Sequence, residues 1–455
     1  MSYDKVYNDP GHMSITGASA AEIFDSVRQL AQARRLLPGQ ALPPVRELAQ
    51  TLGVNRNTVA AAYKRLVGAG LALSQGRRGT IIRGPSEPGE QDGAHPGSPL
   101  IDLASGNPDP ARLPDPLAIM AGRASPPRLY GEATVDPRLQ AYASQWYAGD
   151  CPAAFEIDLT HGAIDAIERL LGANLAAGDT VAVEAPGFLG SINALRALGL
   201  RAEGVALDAA GMLPDALERA LADGAQAVLL TPRAQNPTGA SLTRARARAL
   251  RQVLQRYPHV MVIADDHFAH LSASPYHSPI PAAALRWALV RSVSKALGPD
   301  LRLAFVASDP DTSRRLRLRL ASGTTWVSHL LQDVVAACLA SAPVQARMAR
   351  ARRAYAQRRA WLADALRTEG IAAQWPADGL NLWVPLAQDS PALLLALAHR
   401  GWRLRNGRSF AVRQDVHGLR ITIATLERAT ARRLARDLRL CLDAQDGLKK
   451  YPTLL

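Results

Sequence analysis

The sequence predicts an α/β protein of at least two domains, in which a small helical module precedes a large domain built around a mostly parallel sheet. The chain has 455 residues, more than one hydrophobic core usually organises. Its hydrophobic content of 48% is that of a packed globular protein. After residue 100, short apolar β-rich runs alternate with segments of helical period, and this alternation is typical of βαβ units.

A polar stretch separates the two parts. Residues 84–99 read GPSEPGEQDGAHPGSP, which is dense in glycine, proline and charge and has almost no apolar side chain. Such a composition favours a flexible linker. We therefore expect a module over residues 16–84, a linker over 85–99 and a second domain over 100–445.

Charge and cysteine usage indicate the kind of partner and the compartment. The formal net charge is +13, and residues 1–84 hold eleven Lys or Arg against five Asp or Glu. This surplus suits nucleic-acid phosphates, although a genome that favours arginine would produce it as well. No apolar run approaches the roughly 20 residues that span a bilayer, and the N-terminus lacks a signal-peptide pattern. The three cysteines show no metal-ligand spacing, so we expect a cytoplasmic protein without a metal site.

Two short helices joined by a tight turn are predicted in the N-terminal module. A helix over residues 44–52, a turn at Gly53 and a second helix capped by Asn55 form a helix-turn-helix. Apolar residues repeat at i, i+3, i+4 and i+7 from Val59, which gives the second helix one apolar face. Its first residues, 56–58, are polar, as in a recognition helix that enters the major groove. A helical dimerisation module is the alternative.

A basic strand pair follows the two helices. Segments 71–74 and 80–83 can pair around the sequence QGRRG, which forms a basic wing. Together with PPVRELAQTLGVNRNTVAAAYKRLVGAGL, this pattern resembles the GntR family of winged-helix regulators over roughly residues 18–84. The resemblance implies a double-stranded DNA operator as partner. The residues that it would place on DNA are Arg46, Arg56, Asn57, Thr58, Arg77 and Arg78.

The large domain is predicted to have two parts. A long helix from about Ser328 to about Arg367, two later strands at 380–384 and 419–423, and a final helix over 427–444 form a smaller α+β part. The preceding apolar runs are expected to form the main, doubly wound sheet. They are Thr180–Val183, Ala227–Leu230, Val260–Ala264, Leu289–Val293 and Leu303–Ala307.

One lysine is isolated in the large domain. Lys295 is the only lysine between residues 85 and 448, among dozens of arginines, and lysine can form a Schiff base whereas arginine cannot. It follows a strand-like run in the sequence SVSK, and ligands bind at the carboxyl ends of parallel strands. Arg302 comes seven residues later. This serine, lysine and arginine resemble the motif of the fold-type I aminotransferases, which use pyridoxal 5'-phosphate.

The resemblance covers about residues 100–445 and implies a role for each matched residue. Lys295 would be the catalytic residue that binds the cofactor, and Asp265 would pair with its protonated ring nitrogen. The first turn of a helix at residues 163–164 would hold the phosphate, and Tyr130 would reach the phosphate of the neighbouring subunit. The cofactor set implied is Lys295, Asp265, Asn236, Phe188, Ala163, Ile164, His267, Ser292, Arg302 and Tyr130, and Arg420 would hold a substrate or effector carboxylate.

This sequence departs from the aminotransferase pattern in two places. The residues after Asp265 are Asp266, His267 and Phe268, so the tyrosine usual two or three positions after the aspartate is missing. The stretch YGEATVDPRLQAY also lacks the usual glycine before its leucine. The first departure argues against efficient transamination, and the second concerns the subunit contact.

A GntR-type module fused to an aminotransferase-like domain resembles the MocR-type regulators. The resemblance implies a DNA-binding homodimer that responds to pyridoxal phosphate, or to an amino compound that reacts with it, and that controls vitamin B6 or amino-compound metabolism. Two other functions stay open. In the first, the chain is a working aminotransferase that its N-terminal module tethers. In the second, it is a repressor whose large domain is an empty dimerisation scaffold.

Overall fold

The computed structural model describes residues 15–69, 71–74, 79–82, 92–93, 97–152, 154–388 and 391–449. The chain forms two compact units, one made mainly of residues before 90 and the other mainly of residues after it. In the part of the chain that the structure describes, no helix is long and apolar enough to cross a bilayer.

Among its described residues, the N-terminal unit has three helices and a strand pair. Its elements are α1 (Ala20–Gln32), α2 (Val45–Leu52), α3 (Arg56–Gly68), β1 (Ala72–Ser74) and β2 (Thr80–Ile82). The two strands pair in antiparallel register, so the predicted winged helix-turn-helix is confirmed. The tip of the wing, residues 75–78, lies outside the described residues.

Local sequence signals fix the turn of this motif. Gly53 ends α2 in the left-handed conformation, with φ of 66°, which glycine adopts without a Cβ penalty. The Asn55 side chain then accepts a hydrogen bond from the Asn57 amide at 2.8 Å and begins α3. Tyr63 donates its hydroxyl to the Pro43 carbonyl oxygen at 2.7 Å. The apolar core beneath includes Ile23, Val27, Leu48, Val59 and Leu66.

An eight-stranded sheet lies at the centre of the larger unit. After the short β3 (Ile101–Asp102), its strands are β4 (Glu156–Thr160), β5 (Thr180–Ala185), β6 (Arg201–Asp208), β7 (Gly211–Met212), β8 (Ala227–Leu230), β9 (Met261–Asp265), β10 (Trp287–Ser292) and β11 (Ala304–Ser308). Their spatial order is β4-β11-β10-β9-β8-β5-β6-β7. Strands β5, β8, β9 and β10 are parallel, whereas β11 runs antiparallel to both of its neighbours.

Helices connect these strands. They are α4 (Pro116–Met120), α5 (Pro137–Tyr147), α6 (Ala163–Asn174), α7 (Leu189–Ala197), α8 (Pro214–Ala222), α9 (Arg244–Gln255), α10 (Ser294–Leu297) and α11 (Pro310–Ala321). Asp136 and Asp309 cap α5 and α11, and each is followed by a proline at the first helical position. These Asp-Pro pairs explain why both helices begin where they do.

The smaller part of this unit is α+β. Its elements are α12 (His329–Ala340), α13 (Ala342–Thr368), β12 (Asn381–Pro385), α14 (Pro391–His399), β13 (Trp402–Arg403), β14 (Arg405–Asn406), β15 (Gly418–Thr422) and α15 (Arg428–Lys449). Strands β12, β15 and β14 form an antiparallel sheet, and β13 pairs with β3.

The prediction of one long helix from about Ser328 to about Arg367 is wrong. The chain leaves the helical conformation at Ser341, with φ of −83° and ψ of 115°, and α13 begins at the next residue. Pro343 lies in the first turn of α13, where its missing N–H needs no partner. Periodicity alone did not show this break, because the two helices follow each other directly, with only Ser341 between them.

The parallel strands bring the candidate site together. Strand β9 ends at Asp265, which pairs in register with Val290 of β10. Strand β10 ends at Ser292, and Lys295 follows within α10. Since both strands run in the same direction, these residues emerge at one edge of the sheet.

Candidate functional site

Lys295 presents an amine just beyond the end of β10. Its Nζ donates a hydrogen bond to the Gly106 carbonyl oxygen at 2.7 Å. Burial lowers the pKa of this ammonium group, and Arg420 contributes in the same direction, whereas Asp92 opposes it. A lowered pKa increases the fraction of neutral amine, which is the nucleophilic form.

Asp265 is a buried carboxylate with an open oxygen. Its side chain lies at the end of β9, and its Oδ1 contacts no hydrogen-bond partner among the described residues. Burial raises the pKa of Asp265 to about 7, and the charge of the neighbouring Asp266 contributes in the same direction. A buried carboxyl of this kind is stabilised by a cation or an N–H donor placed against its open oxygen.

His267 lies beside Asp265 where the sequence lacks the usual tyrosine. Its Nδ1 is 4.0 Å from Asp265 Oδ2. Burial, followed by the charge of Lys295, lowers the pKa of His267 to about 4. The imidazole is therefore neutral near pH 7, with one nitrogen that donates and one that accepts.

The start of α6 and Arg302 form a candidate site for an anion. Gly162 precedes α6 with φ of 96°, and Arg302 Nη2 lies 3.3 Å from the position that a Cβ would take at this glycine. The guanidinium is therefore next to the first turn of the helix. There, the N–H groups of Ala163 and Ile164 have no acceptor within the helix. A helix N-terminus next to a guanidinium suits a phosphate group.

Phe188 and Ile164 lie close together near this anion site. A Cβ at Gly190 would stand 2.7 Å from the Phe188 ring and 2.8 Å from Ile164 Cδ1, so both side chains pack over this glycine. Ser292 is buried beside the lysine segment, and its Oγ accepts a hydrogen bond from the Ser294 amide at 3.1 Å. The serine thus shapes the turn between β10 and α10.

Arg420 lies in the middle of β15 and is fully buried. Its Nη1 donates to Asp92 Oδ2 at 3.0 Å, and its Nη2 donates to Asp92 Oδ1 at 2.7 Å. Nη1 also donates to Asn236 Oδ1 at 3.1 Å. The predicted carboxylate-binding arginine therefore holds a carboxylate of its own chain.

Gly106 links the lysine to this arginine. Its carbonyl accepts from Lys295, and the position that its Cβ would take is 3.3 Å from Arg420 Nη2. The structure thus brings Lys295, Arg420 and Asn236 together in one group. His267 lies next to Asp265, and the charge of Lys295 contributes to lowering the pKa of His267.

Tyr130 is not part of this group. Its side chain is 93% exposed, and its ring meets Trp326 edge-on, with 5.6 Å between centroids. This exposure is compatible with the predicted role at the phosphate of a neighbouring subunit.

Two carboxylates of this domain were not among the predicted site residues. Asp92 fell within the predicted linker, and nothing in the local pattern distinguishes it from the other acidic residues there. Asp266 is fully buried between Arg233 and Arg291, with Nε–carboxylate distances of 2.9 Å to each. The Asp-Asp pair after an apolar strand was the available signal for this second carboxylate.

The N-terminal unit presents the start of α3 to solvent. Arg56 and Asn57 are exposed, Thr58 is half-buried, and Arg46 is exposed on α2. These are the side chains that a recognition helix offers to base edges and phosphates. Arg77 and Arg78, the two predicted wing contacts, lie outside the described residues.

Each of the two parts of the chain matches a known protein family. Residues 98–438 match the aminotransferase class I and II family, and residues 19–82 match the bacterial regulatory proteins of the gntR family. A kynurenine aminotransferase of Pyrococcus horikoshii has the same fold, with a TM-score of 0.68 and 24% identity over 77% of this chain and 92% of that one.

Two relatives are named as regulators. The vitamin B6 salvage pathway transcriptional repressor PtsJ of Salmonella typhimurium is 54% identical over 94% of this chain and 100% of its own length. The pyridoxine biosynthesis transcriptional regulator PdxR of Corynebacterium glutamicum is 30% identical over 84% of this chain and 86% of its own. The chain belongs to the MocR-type GntR regulators, DNA-binding transcription regulators in which a winged helix-turn-helix is fused to an aminotransferase class I and II domain.

Proposed function

We propose that the larger domain binds pyridoxal 5'-phosphate and that its occupancy changes how the N-terminal module binds an operator of vitamin B6 genes. The names of the two related regulators, one of vitamin B6 salvage and one of pyridoxine biosynthesis, support the choice of genes. The predicted boundaries, a module at 16–84, a linker at 85–99 and a pocket domain at 100–445, belong to this proposal.

The observation that carries the proposal is the open Oδ1 of buried Asp265. Its pKa of about 7 means that a protonated ring nitrogen would relieve an unfavourable buried charge. Pyridoxal phosphate supplies such a nitrogen, a phosphate dianion and an aldehyde, which a lysine amine attacks with loss of water.

The residues of the pocket fit these three groups. Lys295 offers an amine whose pKa is lowered by burial, and Asp265 would keep a proton on the ring nitrogen. Arg302 and the first turn of α6 would bind the phosphate. Phe188 would contact the ring, while Asn236, His267 and Ser292 would offer hydrogen bonds to it. Tyr130 would complete the phosphate site of the partner in a homodimer.

Neutral His267 supports binding over turnover. A tyrosine hydroxyl donates to the cofactor's phenolic oxygen, whereas a neutral imidazole can present either a donor or an acceptor there. Because burial lowers the pKa of His267 to about 4, the imidazole is neutral near pH 7, and its single N–H can lie on either ring nitrogen. This suits a regulator, in the cytoplasm, whose signal is bound and not consumed.

DNA binding with and without the cofactor tests the proposal. Labelled DNA from the promoters of the organism's vitamin B6 genes is titrated with wild-type chain, and footprints and affinities are compared at fixed salt with and without pyridoxal phosphate. We expect the cofactor to change the affinity or the footprint of wild type and to leave Lys295→Ala unaffected.

Identical footprints and identical affinities in the wild type would show that the large domain is not a sensor. Steady turnover with an amino donor and a keto acid would instead favour an aminotransferase with a fused DNA-binding module.

A further inference from the structure

The carboxylate of Asp92 already binds the guanidinium group of Arg420. Both Asp92 oxygens accept from the guanidinium, at 2.7 and 3.0 Å, in the bidentate geometry that a ligand carboxylate would use. Asn236 Nδ2 lies 3.5 Å from Asp92 Oδ2, and Arg405 Nη2 lies 3.6 Å from Asp92 Oδ1. The Asp92 carboxylate therefore has several polar partners in the pocket.

Neither terminal nitrogen of Arg420 is left without an acceptor, so a second carboxylate would have to replace one. Arg420 is fully buried, the Phe410 ring centroid is 5.1 Å from its Cζ, and its Nη2 also donates to the Ala104 carbonyl at 2.5 Å. Both terminal nitrogens thus have acceptors. A second carboxylate would meet the charge of Asp92 at close range, and like charges in a buried site repel strongly.

The Gly106 backbone lies close to the contact between Asp92 and Arg420. Gly106 has φ of 68°, and a Cβ there would stand 2.8 Å from Asp92 Oδ2. The carbonyl of the same glycine accepts from Lys295 Nζ. Asp92 thus lies in the pocket that holds the reactive amine, and the close approach requires glycine.

We propose that Asp92 is a tethered competitor for Arg420 and determines which ligands the pocket accepts. While Asp92 holds the guanidinium, the pocket admits the cofactor or an amine without a carboxylate, and an α-amino acid binds only after it displaces Asp92. This inference rests on the proposed function, since it names the ligand class of the same site.

Cofactor-loaded wild type and Asp92→Ala are compared by titration with L-alanine, followed through the visible absorbance of the bound cofactor. Removing the competitor should tighten L-alanine binding by about tenfold or more, since two charge-assisted hydrogen bonds to Arg420 become available. Ethylamine, the same ligand without its carboxylate, should bind wild type and variant equally. Equal L-alanine affinity in both proteins would overturn the proposal, as would an equal gain for ethylamine.

A second measurement needs no cofactor. Asp92→Ala leaves the buried Arg420 without its carboxylate, so added acetate should fill the gap and raise the unfolding temperature of the variant by about 2–4 °C. Chloride at the same ionic strength should not do so, and wild type should respond equally to both salts. An equal response of the variant to acetate and chloride would contradict the proposal.

Asp92→Asn provides the matched variant if the alanine chain folds poorly. It keeps the shape of the side chain and removes its charge, so we expect a smaller gain in L-alanine affinity, in the same direction. No gain with this variant would again overturn the proposal. The proposed function fails separately, when pyridoxal phosphate gives wild type no visible absorbance and no change in DNA binding.

Discussion

Replacing Asp265 with asparagine should stabilise the cofactor-free domain above pH 7 while weakening its affinity for pyridoxal phosphate. Asp265 is 5% exposed, and its Oδ1 has no hydrogen-bond partner within the described chain. Burial and the neighbouring Asp266 raise its pKa from 3.8 to about 7. An ionised carboxylate is therefore unfavourable at this position, and an amide of the same shape removes the charge.

The two pKa values determine the sign and the size of the effect. The pKa is higher in the folded chain, so below pH 3.8 the carboxyl is protonated in both states and does not lower the free energy of unfolding. As the pH rises from 3.8 through 7, the folded state loses stability, because the unfolded chain ionises this carboxyl more readily. Each pKa unit corresponds to about 1.4 kcal/mol, so the full difference is about 4 kcal/mol by pH 8. Asp265→Asn should recover a free energy of unfolding of this order.

Urea unfolding at pH 4, 6 and 8 measures this gain. All seven tryptophans follow residue 100, so their fluorescence reports on the larger domain alone. Wild type and Asp265→Asn should be similarly stable at pH 4 and diverge toward pH 8. Glu184→Gln is the matched control, since burial raises the pKa of Glu184 to about 8 and the variant should also gain stability.

Pyridoxal phosphate then separates the two variants. It should raise the urea midpoint of wild type and Glu184→Gln, and raise that of Asp265→Asn much less, because the ring nitrogen has lost its carboxylate. If Asp265→Asn is no more stable than wild type at pH 8 without cofactor, the argument from the buried charge is refuted.

Three further predictions concern the amine, the DNA contacts and the imidazole. Lys295→Ala should lose the visible absorbance of the lysine-bound cofactor, and an unchanged spectrum would exclude this lysine as the attachment site. Arg46→Ala and Arg77→Ala should each lower the slope of log affinity against log salt by about one. Arg56→Ala should instead reduce the discrimination between operator and random DNA by about 1–3 kcal/mol. An equal loss of affinity for both DNAs would contradict the role of Arg56. Stopped-flow spectra with amino donors should show slow conversion to the pyridoxamine form with His267 in place, and rates of about 1–10³ s⁻¹ would favour an enzyme.

Much of the fold was predictable because its signals are local. Gly53 and Asn55 mark the turn and the cap of the helix-turn-helix, and both act as the sequence indicates. Strands β5, β8, β9, β10 and β11 were predicted from apolar runs between turns. Strands β4, β6 and β7 were not predicted, and β6 has mostly exposed or half-buried residues, so it lacks such a run. The break at Ser341 was missed, since periodicity does not distinguish one long helix from two that follow each other directly.

The candidate site was predictable only as a set of residue types. The isolated Lys295, the strand-end Asp265 and the strand residue Arg420 were each singled out in the sequence. Their electrostatics were not, because the pKa values of Asp265 and His267 depend on burial and on charges that the fold brings close.

The two domain types, the helix-turn-helix and the lysine just after a strand could all be predicted from the sequence, because caps, periods and motif spacings are local features of the chain. The contact between Asp92 and Arg420, two residues 328 positions apart, became visible only in the folded chain. No local pattern encodes a contact over such a distance, because it depends on where the sheet places β15 and on the close approach that Gly106 permits. That contact distinguishes a pocket that is open to amino acids from one that already holds a carboxylate.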